Sequence, residues 1–124
     1  MSTVTDQDLG HSQGTDFFHT DDLLTAAERA VRDRVRGFVD ERVIPVAAGY
    51  WERAEFPHEL LGPYAELGVA GGSIAGYGCP GLSAVGEGLV TLELARGDGS
   101  FSTFHSVHSG LAMMTIVPAL SIAR

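Results

Sequence analysis

The sequence predicts an all-α domain, a bundle of four helices arranged as antiparallel neighbours. Apolar residues recur at helical spacing in four segments, residues that begin or end helices separate those segments, and no segment shows the sustained alternation of a strand. The chain has 124 residues, of which 44% are hydrophobic and 19% charged. This length and composition are typical of one globular domain with a real core.

The first helix is predicted to begin at Thr25, because Thr25 and Glu28 form a capping box. Glu28 and Arg32, four residues apart, are expected to pair on its surface. Pro45 lacks an amide donor, so a kink or an end is expected near Ile44. The apolar stripe that should be buried comprises Val31, Val35, Phe38, Val39 and Val43.

A second helix is predicted to start at Phe56-Pro57, with proline in its first position, and to end at Gly68. Between residues 71 and 81, glycines and a proline interrupt every period. This segment is expected to be a loop that crosses a surface.

Ser83 is predicted to cap a third helix, which ends in the turn at residues 96–99. Ser100 or Ser102 is expected to cap the fourth, which should end near Pro118. Its apolar stripe is predicted to hold Phe101, Phe104, Val107, Leu111, Met114 and Val117.

Charge excludes several classes of partner. The formal net charge is −8, and all eight basic residues are arginines, which disfavours nucleic acid and anionic lipid. A polyphosphate such as that of CoA would need cations from another part of the protein. Residues 1–20 are predicted to form a disordered or loosely ordered acidic arm.

The sequence also bears on the compartment. Cys79 is alone, which fits a reducing cytoplasm. Residues 1–14 have no secretory pattern, and the most apolar stretch, residues 110–123, is shorter than the roughly 20 residues of a membrane span. A cytoplasmic protein without membrane contact is expected.

Few residues suggest chemistry on their own. His105 and His108 are spaced like metal ligands, but zinc needs three or four ligands, so a surface or pocket-wall pair is expected and no metal. Cys79 has neither a flanking base nor a flanking cation and is expected to be structural. Glu87 and Glu93 are six apart, hence on different helix faces, and are expected to be solvated. No catalytic residue is predicted.

Six segments recur along the chain in a characteristic order and spacing: LTAAERAVRDRVRGF (24–38), VIP (43–45), AELGVAGG (65–72), YGCPGL (77–82), ELARGD (93–98) and VHSGL (107–111). Over roughly Asp16 to Ile116 this series resembles one family, the acyl-CoA dehydrogenases. The glycine loop and the DFF that starts at Asp16 are most similar to the branch with glutaryl-CoA dehydrogenase and the plant peroxisomal short-chain acyl-CoA oxidase.

The resemblance implies an N-terminal helical domain at residues 21–117. In the family, a β-domain and a C-terminal bundle follow and, with a neighbouring subunit, hold most of the FAD. The implied reaction of the whole protein is α,β-dehydrogenation of an acyl-CoA, in which a glutamate of that bundle takes the α-proton and flavin N5 takes the β-hydrogen as hydride. The implied partners are the acyl-CoA, a homo-oligomer (a tetramer in the family) and an electron-transferring flavoprotein.

By the family's pattern, the acyl-pocket wall would comprise Ser102, Thr103, Ser106, Val107 and Leu111. The alternative is that Val107 and Leu111 are ordinary core residues. Glutaryl enzymes have an arginine where this chain has Ser102, so a short, uncharged acyl group is expected instead of a dicarboxylate.

Residues 118–124 depart from the family's pattern, and we expect a non-family tail from a truncated or frame-shifted gene. We expect the fragment alone to be inactive and to self-associate, or to be marginally stable, through an exposed apolar flank. Two alternatives remain open: a stand-alone helical binding module without activity, and a metal-binding bundle using His105 and His108.

Overall fold

The computed structural model describes Asp16 and residues 18–117, so the predicted tail at 118–124 and most of the acidic arm lie outside the described residues. The all-α prediction is confirmed. No helix within the described ranges is long and apolar enough to cross a bilayer. The elements are a 3-10 turn (Thr20–Leu23), α1 (Ala26–Phe38), a π-helical turn (Val39–Val43), α2 (Ile44–Glu52), a 3-10 turn (His58–Leu60), α3 (Leu61–Glu66), β1 (Ala75–Gly76), β2 (Cys79–Pro80), α4 (Ala84–Gly97), α5 (Gly99–His105) and a π-helical segment (Ser106–Met113).

The capping box at the start of α1 is confirmed. The amide of Glu28 donates to the Thr25 hydroxyl at 3.2 Å, and the Thr25 amide donates to Glu28 Oε2 at 2.9 Å. The predicted pair between Glu28 and Arg32 is wrong. Glu28 Oε1 instead accepts a 2.6 Å hydrogen bond from Ser83, whereas Arg32 pairs with Asp21 and with Asp33.

The helix does not end near Ile44. It widens into the π-helical turn and continues as α2, with Pro45 in the first turn of the new helix. The missing amide of a proline is tolerated there. The first two helices are therefore continuous, with a π-helical turn directly before the position where the sequence predicts a kink or an end.

The second predicted helix begins later than expected. Pro57 caps a 3-10 turn, and α3 starts at Leu61, so that Pro63 falls in its first turn. Gly68 has φ of 64°, which confirms the predicted left-handed stop.

The glycine loop contains a small hairpin that the sequence does not predict. Ala75 pairs with Pro80 and Gly76 with Cys79 in antiparallel register. The two turn residues, Tyr77 and Gly78, have φ of 55° and 78°. Positive φ at both central positions is the requirement of a type I′ turn, which suits a two-residue hairpin.

Long-range contacts fix the directions of the helices. Ser83 contacts Glu28, and further along both helices Glu93 contacts Arg36, so α1 and α4 run in the same direction. Ser102 contacts Thr91 and the later His105 contacts the earlier Glu87, so α4 and α5 are antiparallel. The core between these helices comprises Val31, Val35, Phe38, Val39, Val43, Leu60, Tyr64, Val69, Val90, Leu94 and Phe101.

Candidate functional site

The last helix, which comprises α5 and the π-helical segment after it, carries every residue of the predicted acyl wall. Its N-cap is Asp98, whose Oδ1 accepts the Phe101 amide at 2.8 Å. The predicted caps Ser100 and Ser102 are wrong. Asp98 ends one helix and begins the next, so the turn is one residue long and leaves no room for a later cap.

Phe101, His105 and Ser109 hold one side of this helix in the interior. Phe101 contacts the rings of Phe38, Phe56 and Tyr64, with centroid separations of 5.6 to 5.9 Å. Aromatic contacts of this kind stabilise by about 0.5 to 1.5 kcal/mol each beyond their buried area. The inner side of the last helix is therefore firmly anchored.

The predicted apolar stripe of this helix is only half correct. Phe101 is buried and Phe104 is partly buried, but Val107 is 50% exposed and Leu111 66% exposed. A π-helical segment advances by more residues per turn than the α-helix that the prediction assumed. The side chains after His105 are therefore rotated away from the α-helical stripe.

The five predicted wall residues divide into two groups. Thr103, Ser106, Val107 and Leu111 are exposed, whereas Ser102 is 8% exposed and its hydroxyl donates to the Thr91 carbonyl on α4 at 3.4 Å. The hydroxyl of Thr103 is also engaged, since it donates to the Gly99 carbonyl. We name the four exposed residues the outer flank.

A buried polar cluster lies on the opposite side of the helix. Tyr64 Oη and His105 Nδ1 are 2.7 Å apart, and His105 Nε2 lies 3.4 Å from Glu87 Oε1. This contact does not have the geometry of a hydrogen bond, and Nε2 has no hydrogen-bond partner among the described residues. Glu87 Oε2 and Ser109 Oγ likewise have no hydrogen-bond partner there. Sequence reasoning missed this cluster, which is drawn from three helical elements.

Burial sets the proton affinities in this cluster. Desolvation lowers the pKa of His105 below 6.5, although the nearby carboxylate of Glu87 opposes the shift. Desolvation likewise raises the pKa of Tyr64 above 10.0, and Ser109 opposes that shift in part. His105 is therefore held as a neutral imidazole near pH 7.

His108 does not join this cluster. It is exposed and stacks on Phe104 with a 9° angle between the rings. The two histidines therefore do not form the expected surface or pocket-wall pair, because His108 lies at the surface and His105 is buried. Within the described ranges, no group of three or more His, Cys, Asp or Glu side chains is arranged to hold a metal ion. Cys79 is partly buried in the hairpin, close to Met113 and Ile74 around Gly71.

The prediction that Glu87 and Glu93 are solvated is wrong for Glu93 and only partly right for Glu87, whose Oε2 is buried. Glu93 is fully buried and accepts hydrogen bonds from Arg36 (2.5 Å) and Arg96 (2.8 Å). Arg96 also pairs with Asp40 at 2.6 Å. Burial raises the pKa of Glu93, but the two guanidinium groups outweigh this effect and leave the pKa below 4.5.

A groove of about 430 Å³ lies beside α2 and shares no lining residue with the outer flank. Tyr50, Trp51 and Phe56 supply its aromatic lining. Trp51 Nε1 donates to Asp98 Oδ2 at 2.8 Å, which links α2 to the start of the last helix.

Similar proteins of known structure match most of the chain. A glutaryl-CoA dehydrogenase of Mycobacterium smegmatis, solved in complex with FADH2, is 44% identical with a TM-score of 0.77, over 81% of this chain and 26% of that one. A second structure of glutaryl-CoA dehydrogenase from the same organism is 43% identical with a TM-score of 0.73, over 77% of this chain and 25% of that one.

Curated relatives match over shorter stretches. A (2S)-methylsuccinyl-CoA dehydrogenase of Cereibacter sphaeroides is 44% identical over 69 residues, which are 54% of this chain and 13% of the relative. A benzylmalonyl-CoA dehydrogenase of Aromatoleum aromaticum is 38% identical over 79 residues, which are 56% of this chain and 21% of the relative. The chain thus spans about a fifth or less of the length of these relatives.

The family model for the N-terminal domain of acyl-CoA dehydrogenases matches residues 25–120, which include all five predicted wall residues. The fold, the sequence identity and this match agree, and the chain belongs to the acyl-CoA dehydrogenase N-terminal domain family.

Proposed function

We propose that this chain forms the N-terminal part of a flavin-dependent acyl-CoA dehydrogenase, in which the outer flank lines the acyl pocket. The proposed reaction of the whole protein is α,β-dehydrogenation of a short, uncharged acyl-CoA. Membership of the family supports this proposal, as does the likeness to a glutaryl-CoA dehydrogenase solved with FADH2.

The observation that carries the proposal is the composition of the outer flank. Val107 and Leu111 expose much of their apolar surface on a helix whose other side is tightly packed. Thr103 and Ser106 beside them are polar but uncharged. Exposed apolar surface on an anchored helix is typical of a binding face. A face without charge suits an uncharged acyl chain better than a dicarboxylate.

Neither Glu93 nor Glu87 suits the role of the base that removes the α-proton. Glu93 is held between two arginines, and Glu87 lies beside His105, on the side of the last helix opposite the outer flank. A general base must come within hydrogen-bonding reach of the proton that it takes. We therefore place the base, and hence the activity, in a part of the protein outside this chain.

Four of the seven described arginines fit poorly to the diphosphate of FAD. Arg32, Arg36, Arg53 and Arg96 are each paired with a carboxylate of this chain. We therefore propose that FAD is held mainly by groups elsewhere in the protein. A homo-oligomer, an electron-transferring flavoprotein and a cytoplasmic location complete the proposal.

A hybrid enzyme tests the proposed role. Residues 21–117 would replace the matching segment of the Mycobacterium smegmatis glutaryl-CoA dehydrogenase, and bleaching of the flavin by butyryl-CoA and by glutaryl-CoA would be compared. We expect the hybrid to bind flavin and to prefer butyryl-CoA. A hybrid that retains its flavin but responds to neither thioester would instead support a binding module without activity.

The contribution of the outer flank is tested by Leu111→Ala in the hybrid. We expect KM for butyryl-CoA to rise about tenfold, since a buried leucine contributes at least about 1.5 kcal/mol. Leu92→Ala, which truncates an exposed leucine on α4, is the matched control and should leave KM unchanged. Equal effects of the two changes would contradict the assignment.

The full chain alone gives a separate test. We expect it to purify colourless and to leave butyryl-CoA unchanged, even with added FAD. A yellow chain that bleaches with butyryl-CoA alone would overturn the placement of base and flavin outside it.

A further inference from the structure

The buried cluster behind the outer flank has more hydrogen-bonding capacity than it uses. His105 Nε2, Glu87 Oε2 and Ser109 Oγ are all buried without hydrogen-bond partners among the described residues. Most buried polar atoms in proteins are hydrogen-bonded, so three such atoms in one cluster need a physical reason. We relate these three unpaired atoms to the protonation states of the His105 imidazole.

The charge of Glu87 selects the tautomer of His105. If Nε2 were unprotonated, its lone pair would face the Glu87 carboxylate 3.4 Å away, which is repulsive. The neutral ring therefore carries its proton on Nε2 and accepts at Nδ1, where the Tyr64 hydroxyl donates at 2.7 Å. This arrangement satisfies Nδ1 and the Tyr64 hydroxyl, and it leaves Nε2–H facing Glu87 and Ser109 Oγ without a hydrogen-bond partner among the described residues.

A second proton can enter without opening the core. With Nδ1 protonated, the hydrogen bond reverses, and Nδ1–H donates to Tyr64 Oη. The hydroxyl proton of Tyr64 then needs an acceptor. Ser109 follows His105 by four residues on the same buried side of the last helix, and its Oγ is buried without a hydrogen-bond partner among the described residues, so it can serve as that acceptor. The added positive charge faces Glu87, whose partly buried carboxylate forms an ion pair with the ring.

We propose that Tyr64, Glu87, His105 and Ser109 form a proton-responsive switch, in which protonation of His105 reverses its hydrogen bond with Tyr64 and turns the Tyr64 hydroxyl towards Ser109. The charged or titratable groups that face this imidazole within the described residues are Tyr64 on α3, Glu87 on α4 and His108 on its own helix.

The switch acts on the last helix because Ser109 belongs to the π-helical segment Ser106–Met113. Insertions of this type are often found at functional sites in helices. The same segment carries Ser106, Val107 and Leu111 on its outer side. An effect on acyl binding rests on the proposed function, whereas proton uptake and the response of Ser109 do not.

NMR of the isotopically labelled full chain, without acyl-CoA, tests the switch. At high pH, correlations between imidazole nitrogens and ring protons should give the Nε2–H tautomer of His105. On acidification, the Ser109 amide should shift with the same midpoint as His105. An Nδ1–H tautomer at high pH, or a Ser109 amide that does not follow His105, would overturn the proposal.

Three variants separate the switch from ordinary titration. Glu87→Gln should move the His105 midpoint to lower pH, because it removes the negative charge that favours the imidazolium. Tyr64→Phe should leave His105 titrating but abolish the response of Ser109. Asp40→Asn, which neutralises an exposed carboxylate elsewhere, is the matched control and should change neither signal.

An unchanged or higher midpoint in Glu87→Gln contradicts the proposal, as does a Ser109 response that persists in Tyr64→Phe. If either variant fails to fold, the tautomer and the shared midpoint in the unmodified chain still decide the question. Failure of acyl-CoA binding in the hybrid enzyme would leave this result intact, so the two proposals fail separately.

Discussion

The buried carboxylate of Glu93 gives the sharpest prediction about stability. Glu93→Gln keeps the size of the side chain but removes its charge and replaces one acceptor oxygen by a donor amide. The carboxylate accepts from Arg36 Nε at 3.1 Å, from Arg36 Nη2 at 2.5 Å and from Arg96 Nε at 2.8 Å. In the variant, the amide group would face a guanidinium that also donates.

The expected cost follows from burial. Breaking a buried ion pair typically costs about 3 to 5 kcal/mol, mainly because a charge is left buried without a partner. The side chains of Arg36 and Arg96 are 45% and 29% exposed, so water can partly replace the lost contacts with the carboxylate. We therefore expect Glu93→Gln to lower the free energy of unfolding by about 3 kcal/mol, the lower end of this range. That is a large part of the roughly 5 to 15 kcal/mol that stabilises a typical domain.

Urea unfolding of the full chain, followed by circular dichroism at 222 nm, measures this difference. Asp40→Asn is the control in the same network, because Asp40 is half exposed and its pair with Arg96 should contribute less than about 1 kcal/mol. A Glu93→Gln variant within about 0.5 kcal/mol of the unmodified chain, or one that costs no more than the control, would refute the reasoning.

The pH dependence gives an internal check. The pKa of Glu93 lies below 4.5 in the folded chain, so its stabilising effect is complete above pH 4.5 and is lost as the pH falls through the folded-state pKa. The difference between the unmodified chain and Glu93→Gln should therefore shrink at acid pH. A constant difference would mean that charge is not its cause.

Three further predictions use the same unfolding assay. Gly97→Ala should destabilise by about 1 to 3 kcal/mol, because its new methyl group would lie 2.5 Å from the buried Val39 side chain. Gly88→Ala on the same helix has open space and should stabilise by about 1 kcal/mol; similar results for the two variants would contradict this explanation. Asp98→Ala should lower the free energy of unfolding by about 1 kcal/mol, because it removes the N-cap of the last helix, and Ser100→Ala should change it very little. A larger loss in Ser100→Ala than in Asp98→Ala would indicate that the serine is the cap. Burial lowers the folded-state pKa of His105, so the stabilisation from its neutral form is complete above pH 6.5 and lost as the pH falls through that lower value. In a plot of Tm against pH, His105→Gln should reduce the slope below pH 6.5. An unchanged slope would contradict the assignment of this pH dependence to His105.

Local features of the fold were predictable because their signals lie within a few residues. The capping box at Thr25, the cap at Ser83 and the left-handed stop at Gly68 each depend on one helical turn, and all three are confirmed. The last helix was predicted less well. Asp98 competes with two serines for the same cap, and a π-helical segment shifts the register of everything after His105.

The buried polar groups could not be predicted from spacing. Arg36 and Glu93 are 57 residues apart, and the sequence between them carries no sign that they meet. A helical period places Glu93 on a face but does not say which neighbour covers that face. The five residues of the acyl wall were predicted through family resemblance, and they split because Ser102 packs against α4 whereas the other four form the outer flank.

The parallel course of α1 and α4 also bears on how the chain assembles during synthesis. The stripe of valines on α1 meets its main partner, α4, only after a connection of 45 residues, 39–83. Closing such a connection costs chain entropy before any contact compensates for it. We expect no stable intermediate that contains α1 and α2 alone. A nascent chain should thus acquire protection from proteases only once residue 97 has emerged from the ribosome.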